Sequence, residues 1–93
     1  MSEARTAWRL EWHANGQLQS RALDRALAIG RATTNDIILD APSVSRQHCV
    51  VAPTSTGVSV EAPHNPVLIE GQRVQRAALA EGALFLVGET TFR

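Results

Sequence analysis

The chain opens with a regular alternation of apolar and polar residues. Within residues 7–13, Trp8, Leu10 and Trp12 are separated by charged residues. A period of two predicts a half-buried β-strand. The dipeptide Asn15-Gly16 follows, and it is the strongest short signal for a β-hairpin. The pattern therefore predicts two antiparallel strands at the start of the chain.

Further segments of strand length follow, and all but the last end at a turn that contains Pro, Gly or short polar residues. They are residues 37–39, 48–52, 58–61, 67–69, 83–87 and 90–93. Turn signals at intervals of roughly eight to twelve residues, with short strands between them, are typical of a β-sandwich. The sequence therefore predicts an all-β fold.

Residues 17–29 fit two interpretations. Apolar residues recur at helical spacing from Leu18 to Ile29 among good helix formers, which favours a helix by propensity alone. The apolar residues from Leu23 onwards also alternate acceptably for two short strands with a turn at Asp24-Arg25. Periodicity leaves both interpretations open.

Composition narrows the function classes. The 93 residues allow one small domain, and nine basic and nine acidic residues cancel to zero net charge, which argues against nucleic-acid or membrane-surface binding. Cys49 is the only cysteine, so no intrachain disulfide can form.

The charged N-terminal segment predicts neither a signal peptide nor a membrane anchor, and the cytoplasm is the expected location. The abrupt end at Arg93 predicts that residues 1–93 are the N-terminal part of a longer protein.

The candidate chemistry lies between Gly30 and His48. Arg31 directly follows a glycine, and Ser45-Arg46 ends a second loop after the apolar residues 37–39. If those apolar residues form a strand, both loops can return to the same end of a sheet. Two guanidiniums, which bind oxyanions bidentately, would then converge with a hydroxyl donor. The sequence predicts a phosphate-binding site there.

The same stretch resembles a known family. Gly30-Arg31, Asn35-Asp36-Ile37 and Ser45-Arg46-Gln47-His48 are similar to the signature of the forkhead-associated (FHA) domain, a module that recognises phosphothreonine. The resemblance implies a β-sandwich of ten or eleven mostly antiparallel strands, and it favours strands over a helix in residues 17–29. It implies a partner that is phosphorylated on threonine by a Ser/Thr kinase, with no cofactor, metal ion, nucleic acid or direct membrane contact.

The resemblance also implies the role of each residue. Arg31 and the Ser45 hydroxyl would contact the phosphate, and Arg46 would support them on phosphate or peptide backbone. Gly30 and His48 would support the structure of the site, the His48 ring by bracing the loop that bears Ser45. None of these residues would be catalytic.

The loop at His64 and Asn65 departs from the family. Where the family pattern resembles Ser-x-Asn-Gly-Thr, this chain has Pro63-His64-Asn65-Pro66-Val67. The resemblance makes His64 and Asn65 phosphopeptide-binding candidates, but Pro66 restricts Asn65 to extended geometry and removes a backbone N–H. Glu70 replaces another family asparagine and adds a negative charge whose distance from the site the sequence leaves open.

Two rival functions remain. One is a module of the same fold that binds its partner without phosphate, as a secretion-system or transporter subunit, which the altered loop favours. The other is a small hydrolase that uses Ser45, His48 and Asp40, although no Gly-x-Ser-x-Gly elbow is present. The histidines and Cys49 have no metal-ligand spacing, and Cys49 is expected to be a small buried side chain.

Overall fold

The computed structural model describes residues 8–14, 16–55, 57–80 and 82–93. Over these residues the chain forms eleven strands and no helix, which confirms the all-β prediction. Consequently the described residues include no helix that could span a membrane. The strands are β1 (Arg9–Ala14), β2 (Gln17–Ala22), β3 (Leu27–Gly30), β4 (Ile37–Ile38), β5 (Cys49–Thr54), β6 (Gly57–Glu61), β7 (Val67–Ile69), β8 (Gln72–Val74), β9 (Arg76–Leu79), β10 (Phe85–Val87) and β11 (Thr90–Phe92).

The strands form two sheets that enclose one core. One sheet has the order β2-β1-β11-β10-β7-β8, and the other has the order β4-β3-β5-β6-β9. Of the described strand pairs, only β3 and β4 are parallel. The core includes a row of aromatic rings in which Phe92 lies 5.2 Å from Trp12 and 5.3 Å from Phe85, measured between ring centroids. Such offset aromatic pairs stabilise a core beyond their buried area.

The ambiguous residues 17–29 form β2 and the first part of β3, as the family resemblance implied. Strand β2 pairs with β1 along its whole length, from Ala14 opposite Gln17 to Arg9 opposite Ala22. Gly16 lies in the turn with a φ of 77°, whereas Asn15 lies outside the described residues. The hairpin and the burial of Leu27 in β3 therefore override the helical propensity of the segment.

Some strand boundaries differ from the sequence prediction. Strand β5 continues through Pro53, because at that point it pairs with β6 but no longer with β3, and a strand with one partner tolerates a missing N–H. Strand β10 is shorter than the predicted run 83–87. The apolar periodicity did not predict β8 and β9. In β9, alanines on both faces hide the alternation.

The thiol of Cys49 is buried in β5, as expected from its apolar neighbours. Burial raises the pKa of Cys49 to about 12. Because the thiolate is the reactive form of cysteine, this side chain is a structural element of the core.

The hairpin between β7 and β8 has a strained turn residue. Glu70 has a φ of 53°, and Ile69 opposite Gln72 leaves a two-residue loop. Asn-Gly is the preferred sequence for such a turn, and a left-handed conformation costs most other residues about 1 kcal/mol or more. We expect Glu70→Asn to raise the free energy of unfolding by about 1 kcal/mol, measured by urea denaturation. Glu70→Gln, which removes the charge but keeps the strain, should have little effect, and equal stabilisation by both variants would contradict this explanation.

Candidate functional site

Two loops meet at the end of β3. The backbone N–H of Arg31 donates to the carbonyl of Ser45 over 2.9 Å, and the N–H of Ala32 donates to the carbonyl of Arg46 over 3.1 Å. The structure therefore brings Arg31, Ser45 and Arg46 together at one end of the sandwich. The connecting strand is shorter than predicted, since β4 contains only Ile37–Ile38 and runs parallel to β3.

Gly30 allows this close approach. A Cβ atom at this position would lie 2.9 Å from the carbonyl carbon of Arg46 and 2.8 Å from Nδ2 of Asn35. Both distances are shorter than real Cβ contacts permit. Glycine is therefore needed at position 30, because any side chain there would occupy the space of the second loop.

Asn35 joins the two loops from the inside. Its side chain is buried, and Nδ2 donates to the carbonyl of Ala32 over 2.8 Å and to that of Arg46 over 2.7 Å. The sequence showed Asn35 only as part of a signature without a role. Its position fixes the backbone beside both arginines, so Asn35 is a supporting residue that sequence reasoning did not assign.

Asp36 anchors the other end of the first loop. Oδ2 accepts the backbone N–H of Ala28 over 2.9 Å, and Oδ1 lies 3.2 Å from Nη2 of Arg25. The guanidinium of Arg21 donates to the backbone carbonyl of Asp36 over 2.9 Å. The hydrogen bond from Ala28, and then the interaction with Arg25, hold the pKa of Asp36 below its usual value.

This pKa shift predicts a pH dependence of stability. Because the pKa of Asp36 is lower in the folded state, its contribution is present above the unfolded-state pKa of about 3.9 and is lost as pH falls through the folded-state value. We expect Asp36→Asn to destabilise the domain at pH 7 and to reduce the loss of stability below about pH 4, measured by urea denaturation across pH. Asp24→Asn, which removes an exposed carboxylate, is the control for the change in net charge. An unaltered acid response of Asp36→Asn would contradict the assignment.

The buried side chain of His48 supports the loop that carries Ser45. Its side chain is 3% exposed, Nδ1 accepts the backbone N–H of Ser45 over 3.1 Å, and Nε2 lies 3.2 Å from the carbonyl of Pro66. A neutral ring with its proton on Nε2 satisfies both partners. His48 therefore connects the Ser45 loop to the loop that carries His64 and Asn65.

Asn65 faces the site although Pro66 follows it. Nδ2 of Asn65 donates to Oγ of Ser45, so the side chain is directed at the second loop. The carbonyl of Pro66 is the group that receives the His48 ring. The proline thus contributes a backbone acceptor to the support of the site.

Arg31 and Arg46 have no acidic partners among the described residues. Nε of Arg31 donates to the carbonyl of Val44 over 3.1 Å, which orients the guanidinium and leaves both Nη groups available. The Arg46 side chain is exposed, and the ion pairs of the described residues join Arg25 to Asp36 and Arg76 to Glu61. The site therefore carries a local positive charge on a chain of zero net charge.

Arg31, Ser45, Arg46 and His64 lie around a cavity of about 590 Å³. Guanidinium, hydroxyl, amide and imidazole groups line it, and no carboxylate does. The residues with these groups are Arg31, Thr34, Ser45, Arg46, Gln47 and His64. Such a donor set binds an oxyanion. No group of His, Cys, Asp and Glu among the described residues is arranged to hold a metal ion.

Glu70 lies at the end of β7 opposite to the loop that adjoins this cavity. The site adjoins Pro66, which directly precedes β7, and Glu70 follows the last residue of that strand. Three strand residues of about 3.3 Å rise each separate the two positions. The negative charge that the sequence left unplaced therefore lies at the other end of the strand.

The FHA domain model matches residues 27–88 of this chain. Among curated proteins, an ABC transporter ATP-binding/permease protein of Mycobacterium tuberculosis is 32% identical in an alignment of 75 residues that covers 78% of this chain. The chain spans only 9% of the length of that relative.

Solved structures show the same fold. The FHA domain of a Chlamydia trachomatis protein has a TM-score of 0.82 with 24% identity over 94% of both chains. EmbR of Mycobacterium tuberculosis, solved in complex with a low-affinity phosphopeptide, has a TM-score of 0.78 with 27% identity over 90% of this chain and 23% of EmbR.

Proposed function

Because the chain belongs to the FHA domain family, we propose that it captures proteins phosphorylated on threonine, and that the cavity beside Arg31 binds the phosphate. A phosphothreonine carries about −1.5 to −2 charges and three strong acceptor oxygens at neutral pH. The observation that carries the proposal is a pair of arginines that have no acidic partner among the described residues and line the cavity with Ser45.

Each proposed ligand has a distinct part. The oriented guanidinium of Arg31 supplies two parallel N–H donors, and Ser45 supplies a compact hydroxyl donor. Arg46 adds a second charge at the rim, where phosphate or peptide backbone is within reach. Asn65 already contacts Oγ of Ser45, so a bound peptide would meet both side chains. Gly30 and His48 hold these groups in place.

The phosphopeptide complex of EmbR supports this proposal, because EmbR has a similar fold and 27% sequence identity. The altered loop was the main support for a partner that binds without phosphate. Since Asn65 still faces Ser45 in spite of Pro66, that loop does not favour the phosphate-independent alternative.

We propose no catalytic role for Ser45 and His48. The ring nitrogens of His48 contact the backbone of Ser45 and Pro66, so neither nitrogen acts as a base on the Ser45 hydroxyl. A serine hydrolase needs that contact. Incubation with a serine-reactive phosphonate should therefore leave Ser45 unlabelled, and stoichiometric labelling would contradict this.

We further propose that the domain acts in the cytoplasm, where a Ser/Thr kinase has access to ATP and to the partner. The M. tuberculosis relative, of which the matching stretch is 9%, is consistent with a recognition module attached to a larger protein. That residues 1–93 are the N-terminal part of a longer chain stays a prediction.

Fluorescence anisotropy tests the proposed function. The domain is titrated against a degenerate phosphothreonine peptide library and against the same library without phosphate. We expect dissociation constants on the order of micromolar for the phosphorylated library and at least tenfold weaker binding without phosphate. Equal binding of both libraries would overturn the proposal and favour a partner that docks without phosphate.

A further inference from the structure

His64 is the histidine that faces the cavity. It lies on the cavity wall with Arg31 and Arg46, its side chain is exposed, and it has no hydrogen bond or ion pair with the described residues. By contrast, His48 is buried and uses both ring nitrogens on backbone groups. The His64 ring is therefore available to a ligand.

Two arginines share the cavity wall with His64. Arg31 and Arg46 line the same cavity, whereas Glu61, at the end of β6 that precedes the His64 loop, is paired with Arg76 over 3.1 Å. His48, between the loops, is satisfied as a neutral ring. A phosphate dianion bound in the same cavity would favour the positively charged form of the ring. The charge of His64 should therefore be coupled to occupancy of the cavity.

We propose that His64 is a phosphate ligand that binds as an imidazolium, an inference that rests on the proposed function. The His64 ring then takes up one proton from solvent when a phosphothreonine binds. Histidine is the side chain that ordinarily changes charge between about pH 5 and 8. The charged ring donates a stronger hydrogen bond to phosphate than a neutral ring does. His64 would make affinity increase relative to a neutral residue as pH falls.

The phosphate itself titrates in the same range, with the opposite sign. Its second pKa is about 6 in a free peptide, and nearby guanidiniums favour the dianion, so binding releases protons from the peptide. The proton balance of the wild type alone is therefore a sum of two opposed effects. A comparison at position 64 isolates the histidine contribution, because the peptide is the same in every titration.

The test uses three proteins and one phosphothreonine peptide taken from the bound library. Isothermal titration calorimetry in two buffers of different ionisation enthalpy gives the proton balance at pH 6.5 for wild type, His64→Gln and His64→Arg. We expect the wild type to take up a larger number of protons than either variant. Its affinity advantage over His64→Gln should grow from none at pH 8 to about three- to tenfold at pH 5.5. His64→Arg should bind at least as tightly as wild type at pH 8.

The possible outcomes distinguish a failure of this inference from a failure of the proposed function. If wild type and His64→Gln have the same proton balance and the same pH profile while both bind the phosphopeptide, this inference is wrong and the proposed function stands. A loss of affinity in both variants that is equal at every pH indicates a structural role and also overturns it. If neither wild type nor His64→Arg prefers the phosphorylated peptide, the proposed function itself fails.

Discussion

Arg31→Ala is expected to weaken phosphopeptide binding by roughly 10- to 100-fold. The substitution removes the guanidinium that Val44 orients through Nε, and with it a charge-assisted, bidentate contact to the phosphate. Arg31→Lys should recover only part of the affinity, because an ammonium keeps the charge but lacks the planar fork. Fluorescence anisotropy with one phosphothreonine peptide measures all three proteins.

Arg9→Ala is the matched control for this result. Arg9 is also exposed and hydrogen-bonds Oγ of Ser20 over 2.8 Å, but it lies in β1 and does not line the cavity. The control removes the same charge from the chain, so a general electrostatic effect would appear in both alanine variants. An Arg31→Ala protein that is folded and binds like Arg9→Ala would contradict a phosphate contact by Arg31.

The features of this molecule that could be predicted from sequence are those that a local sequence pattern determines. The first hairpin follows from the Trp8 to Trp12 alternation and the Asn15-Gly16 turn. The grouping of Arg31 with Ser45 follows from loop and strand order. In each case one continuous stretch of the sequence contains the signal.

Other features depend on contacts between distant residues. Residues 17–29 have a helical pattern, but pairing with β1 makes residues 17–22 a strand, and pairing with β5 places residues 27–29 in another. The side-chain direction of Asn65 looked doubtful beside Pro66, and only the meeting with Ser45 shows where it points. The role of Asn35 likewise depends on the carbonyl of Arg46 across the loop interface. Periodicity contains no information about such contacts.

The role of Gly30 also depends on contacts with residues that are distant in sequence. Gly30→Ala should destabilise the domain by about 3 kcal/mol, because the new methyl group would meet backbone atoms of Arg46 and the Asn35 amide, and backbone cannot rotate away as a side chain can. The same displacement would move Arg46, so we expect the folded fraction to bind phosphopeptide at least tenfold more weakly. Urea denaturation and anisotropy measure the two effects.

Gly71→Ala separates crowding from backbone conformation. Gly71 has a φ of 80°, and a Cβ there would meet nothing within 4 Å, so alanine costs only the left-handed conformation, about 1 to 2 kcal/mol. Gly30 is not among the positive-φ glycines of the described residues, so its substitution tests crowding alone. Gly71→Ala should therefore lower stability with unchanged phosphopeptide affinity, whereas Gly30→Ala should lower both. If Gly30→Ala keeps full affinity and loses no more stability than Gly71→Ala, the close approach of the two loops does not set the geometry of the site.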